Sequence, residues 1–464
     1  MFRKILLSII ILACTHAAIA QNRDSAMIRL IYGAALSNGK AYDWLGELCQ
    51  AAPSRLSGSP GAAIAVVWAE NLFKSLNVDV KKQECKVPQW VRGGYEKGFI
   101  VVKGDSKIEV PICALGGSIP TPREGLTAPV IEVKNFEMLD AFAKQGLISG
   151  KIVFFNAAMD PKFINTFEAY GKAVNYRWSG AMKAAQYGAV GVVVRSMTLA
   201  LDDFPHTGSM GYSDTIEKIP ACAISTLAAE KLSSMRRSNP NIKFSFTLTC
   251  NTLPDETSYN VIGEIKGTDF PDEIITVGGH LDAWDLSPGA HDDGAGCVQA
   301  AEVLYLFKAL GIRPKRTVRA VMFMNEENGG RGGEKYAELA KANSEKHIAA
   351  IESDAGAFSP RGFSFKGDSL AVEHLMRWRS IFTPYYSDRW FRGYGGADID
   401  HLAKVFCPGE ICPVLIGLSP DSQRYFDYHH AASDTFDKIN RRELELGAAF
   451  MASMVYLLAE YGVK

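Results

Sequence analysis

Between Ile274 and Gly296 the chain reads IITVGGHLDAWDLSPGAHDDGAG, and this stretch limits the fold more than any other. Ile274-Ile275-Thr276-Val277 is β-branched and mostly apolar with no alternation, which suits a strand buried on both faces of a parallel sheet. Gly278-Gly279 permits a sharp turn where the strand ends, and the turn delivers His280 and then Asp282. A loop carries His291-Asp292-Asp293-Gly294 into a long apolar helix, expected over 295–310. A histidine and acids at a strand's carboxyl end and a helix's amino end are what a metal site in an open α/β sheet needs.

The pattern recurs downstream. Val318 to Met324, His347 to Ile351 and Pro413 to Leu418 read as strands with helical segments between them, and Arg441 to Tyr461 closes the chain as a helix. Potential ligands follow these strands: Glu326 and Glu327, then Asp354, then His430. Strand–helix alternation predicts an α/β fold, a mostly parallel mixed sheet with helices on both faces. Upstream, residues 22 to about 90 look helical, with a strong helix at Ala62–Leu76 and a following strand suggested by Val78 to Val80 and the residues around Cys85, and Tyr259 to Lys266 reads as a strand that re-enters the sheet. From Gly98 to Cys250 short strand-like runs such as Ile152-Val153-Phe154-Phe155 alternate with Gly/Pro turns. A chain of 464 residues exceeds one ordinary core. The expected organisation is therefore a catalytic domain of residues 22–97 and 251–464, with 98–250 inserted as a β-rich, separately folded lid.

His280, Asp292, Glu326 or Glu327, Asp354 and His430 all fall on the carboxyl edge of such a sheet. Two imidazoles and three carboxylates suit zinc or a similar divalent ion. Five groups exceed one tetrahedral catalytic zinc but suit two metals sharing a bridge, which can hold a hydroxide and polarise a carbonyl. Glu326 and Glu327 face opposite sides if the strand is still extended there, so one can bind metal while the other serves as general base. Asp282 is placed to hydrogen-bond the far nitrogen of His280. His206, alone in a loop, reads as a surface or hydrogen-bonding histidine, and His291 as structural or solvent-facing. Singly each motif is weak, since an Asp-Asp-Gly is commonly a turn or helix cap.

A formal net charge of −1 gives no electrostatic case for nucleic acid or an anionic membrane as partner. Arg3-Lys4, the apolar run Ile5 to Ala13 and the small residues Ala18-Ile19-Ala20 read as a secretory signal over 1–20, which implies export. A lipoprotein site at Cys14 is the less favoured alternative, because Leu12 is larger than such sites usually carry. No later run has the roughly 18 continuous apolar residues of a membrane span. In an exported chain some cysteines are expected to pair; Cys407 and Cys412 either close a small loop or stay free, and Cys297 reads as a buried thiol.

HLDAWD, GAHDDGAG, MNEENGG, ESDAG and HHAASDT together resemble the co-catalytic di-zinc aminopeptidase family that also contains the glutamate carboxypeptidases. Over residues 40 to 464 the layout looks like that family's secreted plasma glutamate carboxypeptidase type, and GAVGVVV and IPACAIS resemble its protease-associated domain. The resemblance implies two zinc ions per chain, with His280 and Asp354 on one, Glu327 and His430 on the other, Asp292 bridging and Glu326 as base. It also implies a cis peptide between Asp292 and Asp293. His430, four residues before Asp434-Thr435, takes the ligand position. His429 then stands where several members carry an oxyanion-stabilising tyrosine. The implied reaction is hydrolysis of a peptide bond beside a free terminus in short peptides or dipeptides, by an aminopeptidase or dipeptidase, with a carboxypeptidase as the alternative. A homodimer is compatible with the resemblance. Two rivals share the fold, a metal-poor binding module and a single-zinc cyclase of amino-terminal glutamine; the complete ligand set favours hydrolysis.

Overall fold

The computed structural model describes residues 23–102, 106–407 and 412–464. The expected signal segment 1–20, with Cys14, lies outside them. Two eight-stranded mixed sheets organise the chain.

The first sheet runs Asp79–Val91, Asn251–Ile265, Arg316–Phe323, Phe270–His280, Lys346–Glu352, Val414–Pro420, Pro360–Lys366, Phe391–Arg392. Its four central strands are parallel, and antiparallel pairs flank them. The apolar run at Ile274 sits in the middle, where both faces need cover, and Ile275 and Val277 are fully buried. Alternate side chains of Arg316–Phe323 divide between two cores. Val318, Ala320 and Met322 pack with the helices Pro60–Ser75, Ala295–Ala309 and Arg441–Tyr461. Val321 and Phe323 pack with Arg331–Ala342 and Asp400–Phe406. The α/β sheet with helices on both faces is thus as expected from the sequence.

Local signals account for the helix ends. The Ser59 hydroxyl accepts the Ala62 amide at 3.1 Å, and Pro60 occupies the first turn, where its missing N–H costs nothing. Ala295–Ala309 ends at Leu310, and Gly311 follows with φ of 64°, the left-handed residue that closes many helices. Arg441–Tyr461 is long and apolar enough to cross a membrane, yet 83% of its apolar window is buried, so it serves as a core helix here.

The second sheet occupies residues 96–248, in the order Lys107–Val110, Glu96–Val101, Lys243–Leu248, Leu126–Val133, Ile152–Phe155, Gly191–Arg195, Ala221–Ile224, Ile112–Ala114. Helices Phe136–Lys144, Thr166–Trp178, Gly180–Ala185 and Thr226–Ser238 accompany it, so the region is more helical than its Gly/Pro texture suggests. The runs Ile152–Phe155 and Ala221–Ile224 are buried throughout and need helices on both sides. Side chains join the two sheets. Phe358, Tyr425 and Phe426 pack into one core with Val153 and Val192, while Leu56, Trp90 and Trp284 pack into another with Phe154 and Phe246.

Candidate metal centre

Register brings the ligand-bearing ends together. His280 pairs with Phe323 across one parallel ladder and Gly278 with Glu352 across the other, so three strands end side by side at the carboxyl edge. There His280 Nε2 lies 3.3 Å from Asp292 Oδ1 and 3.5 Å from Asp354 Oδ1. His430 Nε2 lies 3.3 Å from Asp292 Oδ2 and 3.1 Å from Glu327 Oε2. The two oxygens of Asp292 therefore face two separate ligand pairs. Asp292 Oδ2 is buried with no hydrogen-bond partner among the described residues, a costly state for a carboxylate unless a cation meets it. The donor set fits two divalent ions sharing Asp292.

The electrostatics agree. Burial, then the neighbouring Asp292 carboxyl, pushes Glu327 well above the usual carboxylate range. Burial also raises Asp354. Burial works to raise Asp292 as well, but the His280 ring beside it holds its carboxyl low. Acids crowded this closely favour protons or a multivalent cation between them. Burial keeps His430 far below its ordinary range and pushes His429 down to about 3, so both rings are neutral and able to act as donors to a metal.

Backbone anchors hold the acids in place. Asp293 Oδ2 accepts the His280 amide at 3.0 Å and its Oδ1 accepts the Gly296 amide at 2.9 Å. Asp434 accepts the amides of His291 and Asp292 at 2.7 and 3.0 Å. The Asp292–Asp293 peptide is cis, as the resemblance implies. Glu327 Oε1 accepts the Trp284 amide at 3.1 Å, leaving Oε2 toward His430.

Two local expectations change. The carboxylate of Asp282 is 3.9 Å from His280 Nδ1, which donates instead to the backbone carbonyl of Asp282 at 2.9 Å. That bond still fixes the tautomer that frees Nε2. The Asp282 carboxylate has turned to accept the amides of Asn325 and Glu326, at 2.6 and 3.1 Å. The pleat, moreover, is not what separates Glu326 from Glu327. The strand ends at Phe323, and Asn325 turns the chain with φ of 74°. Glu326 borders a cavity beside the ligands, and burial, then Asp354, Asp292 and Asp282 against the opposing pull of His280, pushes its carboxyl up to about 8.

Adjacent His429 and His430 are stacked, with ring centroids 3.5 Å apart. His429 Nε2 is 3.8 Å from Asp292 Oδ2, so both rings lie within reach of one ligand group. His291 is buried rather than solvent-facing, sandwiched between Phe358 and Tyr428, and its Nδ1 accepts the Ala357 amide at 3.1 Å. Cys297 is a buried free thiol, and Cys407 is bonded to Cys412.

Sequence reasoning missed the groups that brace these ligands. Arg55 is fully buried and donates to the carbonyls of Leu281, Pro288 and Gly289, gripping the loop between His280 and Asp292. A strap from the second sheet's region, residues 206–209, crosses the other ligands. His206 Nδ1 donates to the His429 carbonyl at 2.7 Å, the Thr207 amide to the His430 carbonyl at 2.9 Å, and the Ser209 hydroxyl to the Glu327 carbonyl at 2.8 Å. His206 is thus the hydrogen-bonding histidine of the two readings above. No spacing rule links residues 206–209 to 327 or 430; the signal is three-dimensional.

Comparison with known proteins agrees with this geometry. Residues 260–455 match peptidase family M28. Carboxypeptidase Q of Rattus norvegicus is 36% identical over 422 residues, covering 91% of this chain and 85% of that one. The crystal structure of a peptidase M28 precursor from Shewanella amazonensis superposes with a TM-score of 0.88 at 33% identity, covering 95% of this chain and 97% of the other. A zinc aminopeptidase from Bacillus subtilis shares the fold, with a TM-score of 0.63 at 20% identity over 91% of this chain and 95% of its own. With its ligand-bearing strand ends and a relative of this identity along nearly its whole length, the chain belongs to peptidase family M28.

Proposed function

We propose that this chain is a zinc exopeptidase that holds two zinc ions and hydrolyses short peptides or dipeptides. The observation that carries the reading is Asp292, whose two oxygens face His280 with Asp354 on one side and His430 with Glu327 on the other. His280 and Asp354 would hold one ion, Glu327 and His430 the other, and Asp292 both. Bound zinc supplies Lewis acidity to a substrate carbonyl and acidifies water.

The remaining work falls to the chain. Glu326 stands beside the ligands at the border of a cavity, and it takes the proton of the attacking water and passes it to the departing amine. Asp282 fixes the backbone amide of Glu326 and so aims that base. His429, neutral and buried, turns a ring N–H toward the oxygen of the tetrahedral species. Residues 98–250 form a roof whose strap touches the ligand loops, which supports a preference for short substrates over folded proteins. Export is part of the proposal, supported by the signal pattern of residues 1–20 and by the Cys407–Cys412 bond. A carboxypeptidase is the second reading, favoured by the name of the rat relative.

The test is zinc content per chain, with hydrolysis of free, amino-blocked and carboxyl-blocked dipeptides by wild type and Glu326→Gln. Two zinc ions, and turnover lowered about 1,000-fold or more in the variant with zinc retained, are expected, given the 10²–10⁴-fold usual for a general base. A chain that binds no zinc and cleaves none of the three would sink the reading.

A further inference from the structure

A cavity of about 390 Å³ beside the ligands has Glu326, Glu327 and Asn328 in one wall, with Trp90, Trp178 and Met210 around it. Asn328 follows the two glutamates directly, and the mechanism above gives it no task. Its side-chain orientation is dictated by the hydrogen bonds of its neighbours.

The Arg331 backbone amide, which can only donate, reaches Asn325 Oδ1 at 3.3 Å. The other end of the Asn325 amide is therefore Nδ2, which donates to Ser57 Oγ at 2.8 Å and to the Asn328 side chain at 2.5 Å. The Asn328 atom that meets it must be the oxygen, Oδ1, and the Ser57 hydroxyl donates to that same oxygen at 2.7 Å. Ser57 and Asn325 are fully buried, so water does not compete for these bonds. Gly329 permits the close turn, since a Cβ there would come 2.2 Å from Asn325 Oδ1. With its oxygen held twice, the planar Asn328 amide turns Nδ2 away from both donors. That nitrogen has no acceptor among the described residues, yet it is not among the closed-in atoms, so its two N–H groups are open on a side chain that lines the cavity.

We infer that the Asn328 side-chain amide donates to the main-chain carbonyl oxygen of the residue that leaves as the amine. This rests on the peptidase reading above and deepens it. Glu326 hands its proton to the departing amine, so the leaving residue lies on the Glu326 side, in the cavity that Asn328 shares. Every leaving residue carries such an oxygen whatever its side chain, as a carboxylate at a chain end or as an amide within a chain. Asn328 therefore registers the main chain beyond the scissile bond, and the same short loop supplies the base, a metal ligand and this contact. Ser57, from a segment distant in sequence, positions Asn328 without touching substrate.

The test compares leucyl-alanine with leucyl anilide, whose ring can fill the cavity but offers no acceptor, on zinc-loaded wild type and Asn328→Ala. Should the anilide be cleaved too slowly to follow, its Ki against leucyl-alanine hydrolysis replaces kcat/KM. Leucine hydroxamate, which lacks the leaving residue altogether, takes its place if it does not bind. The quantity read is the preference for leucyl-alanine over the comparator, because a displaced glutamate loop would weaken both alike. Asn328→Ala is expected to lower that preference by about 10- to 100-fold, the worth of a hydrogen bond to a charged oxygen. A preference changed by less than about threefold, with zinc retained, would overturn the inference. Asn328→Ser, which keeps an oxygen near Asn325, substitutes if the alanine variant loses its zinc. A zinc-loaded wild type that neither cleaves nor binds any of the three compounds would instead refute the peptidase reading itself.

Discussion

Arg55→Met would test how the metal loop is held. Arg55 is fully buried, and its three hydrogen bonds go to the carbonyls of Leu281, Pro288 and Gly289 rather than to a carboxylate. Methionine fills much of the same volume, so the cavity term is small, but three buried carbonyls lose a charged donor. At about 1–2 kcal/mol for each, the loss is about 3–6 kcal/mol. Relief from burying a guanidinium offsets part of this, leaving a net destabilisation of about 2–4 kcal/mol. The gripped loop joins His280 to Asp292, so zinc affinity should fall by about 10- to 100-fold as well, equivalent to about 1.4–2.8 kcal/mol. Urea unfolding of the metal-free protein gives the first quantity, and zinc titration against a competing chelator the second. A loss below about 1 kcal/mol with zinc affinity unchanged would refute the argument; a stability loss without an affinity loss would show that Arg55 supports the fold but not the ligands.

Glu302 is fully buried, with one oxygen accepting the Lys40 amide at 2.8 Å, and burial, then the Glu445 carboxyl, pushes it up to about 8. Because the folded value lies above the ordinary one of 4.5, its contribution is complete below that value and is lost as pH rises toward 8, at up to about 1.4 kcal/mol per pH unit. Glu302→Gln keeps an acceptor for Lys40 and should flatten stability measured between pH 5 and 8; identical slopes in the two proteins would rule the assignment out. His429→Phe should lower kcat about 100-fold with KM and zinc content little changed, as expected on losing one oxyanion donor. An unaltered kcat would remove His429 from the mechanism.

Much of the catalytic sheet was legible because its strands are short apolar runs ending in polar residues. His280, Asp292, Glu327, Asp354 and His430 could be singled out because each follows such a run or opens a helix, and the structure brings them together. Prediction failed where a side chain acts through backbone groups distant in sequence. Arg55 is one arginine among small residues until the fold sets it against the carbonyls at 281, 288 and 289. Asp282 could be placed near His280 from its spacing, but its partners, the amides of Asn325 and Glu326, come from a neighbouring strand end. Helix Thr166–Trp178 escaped notice because its polar surface hides the small buried stripe of Ala169 and Ala173.

The strap at 206–209 also bears on the order in which the chain must assemble. Glu327 and His430 cannot settle finally until Ser209 and Thr207 have arrived at their carbonyls, although more than 100 residues separate each pair. Such contacts carry a large loop-closure entropy and form late in a folding reaction. The metal centre should therefore be among the last parts of the molecule to mature, and tight zinc uptake would report that both sheets have already docked.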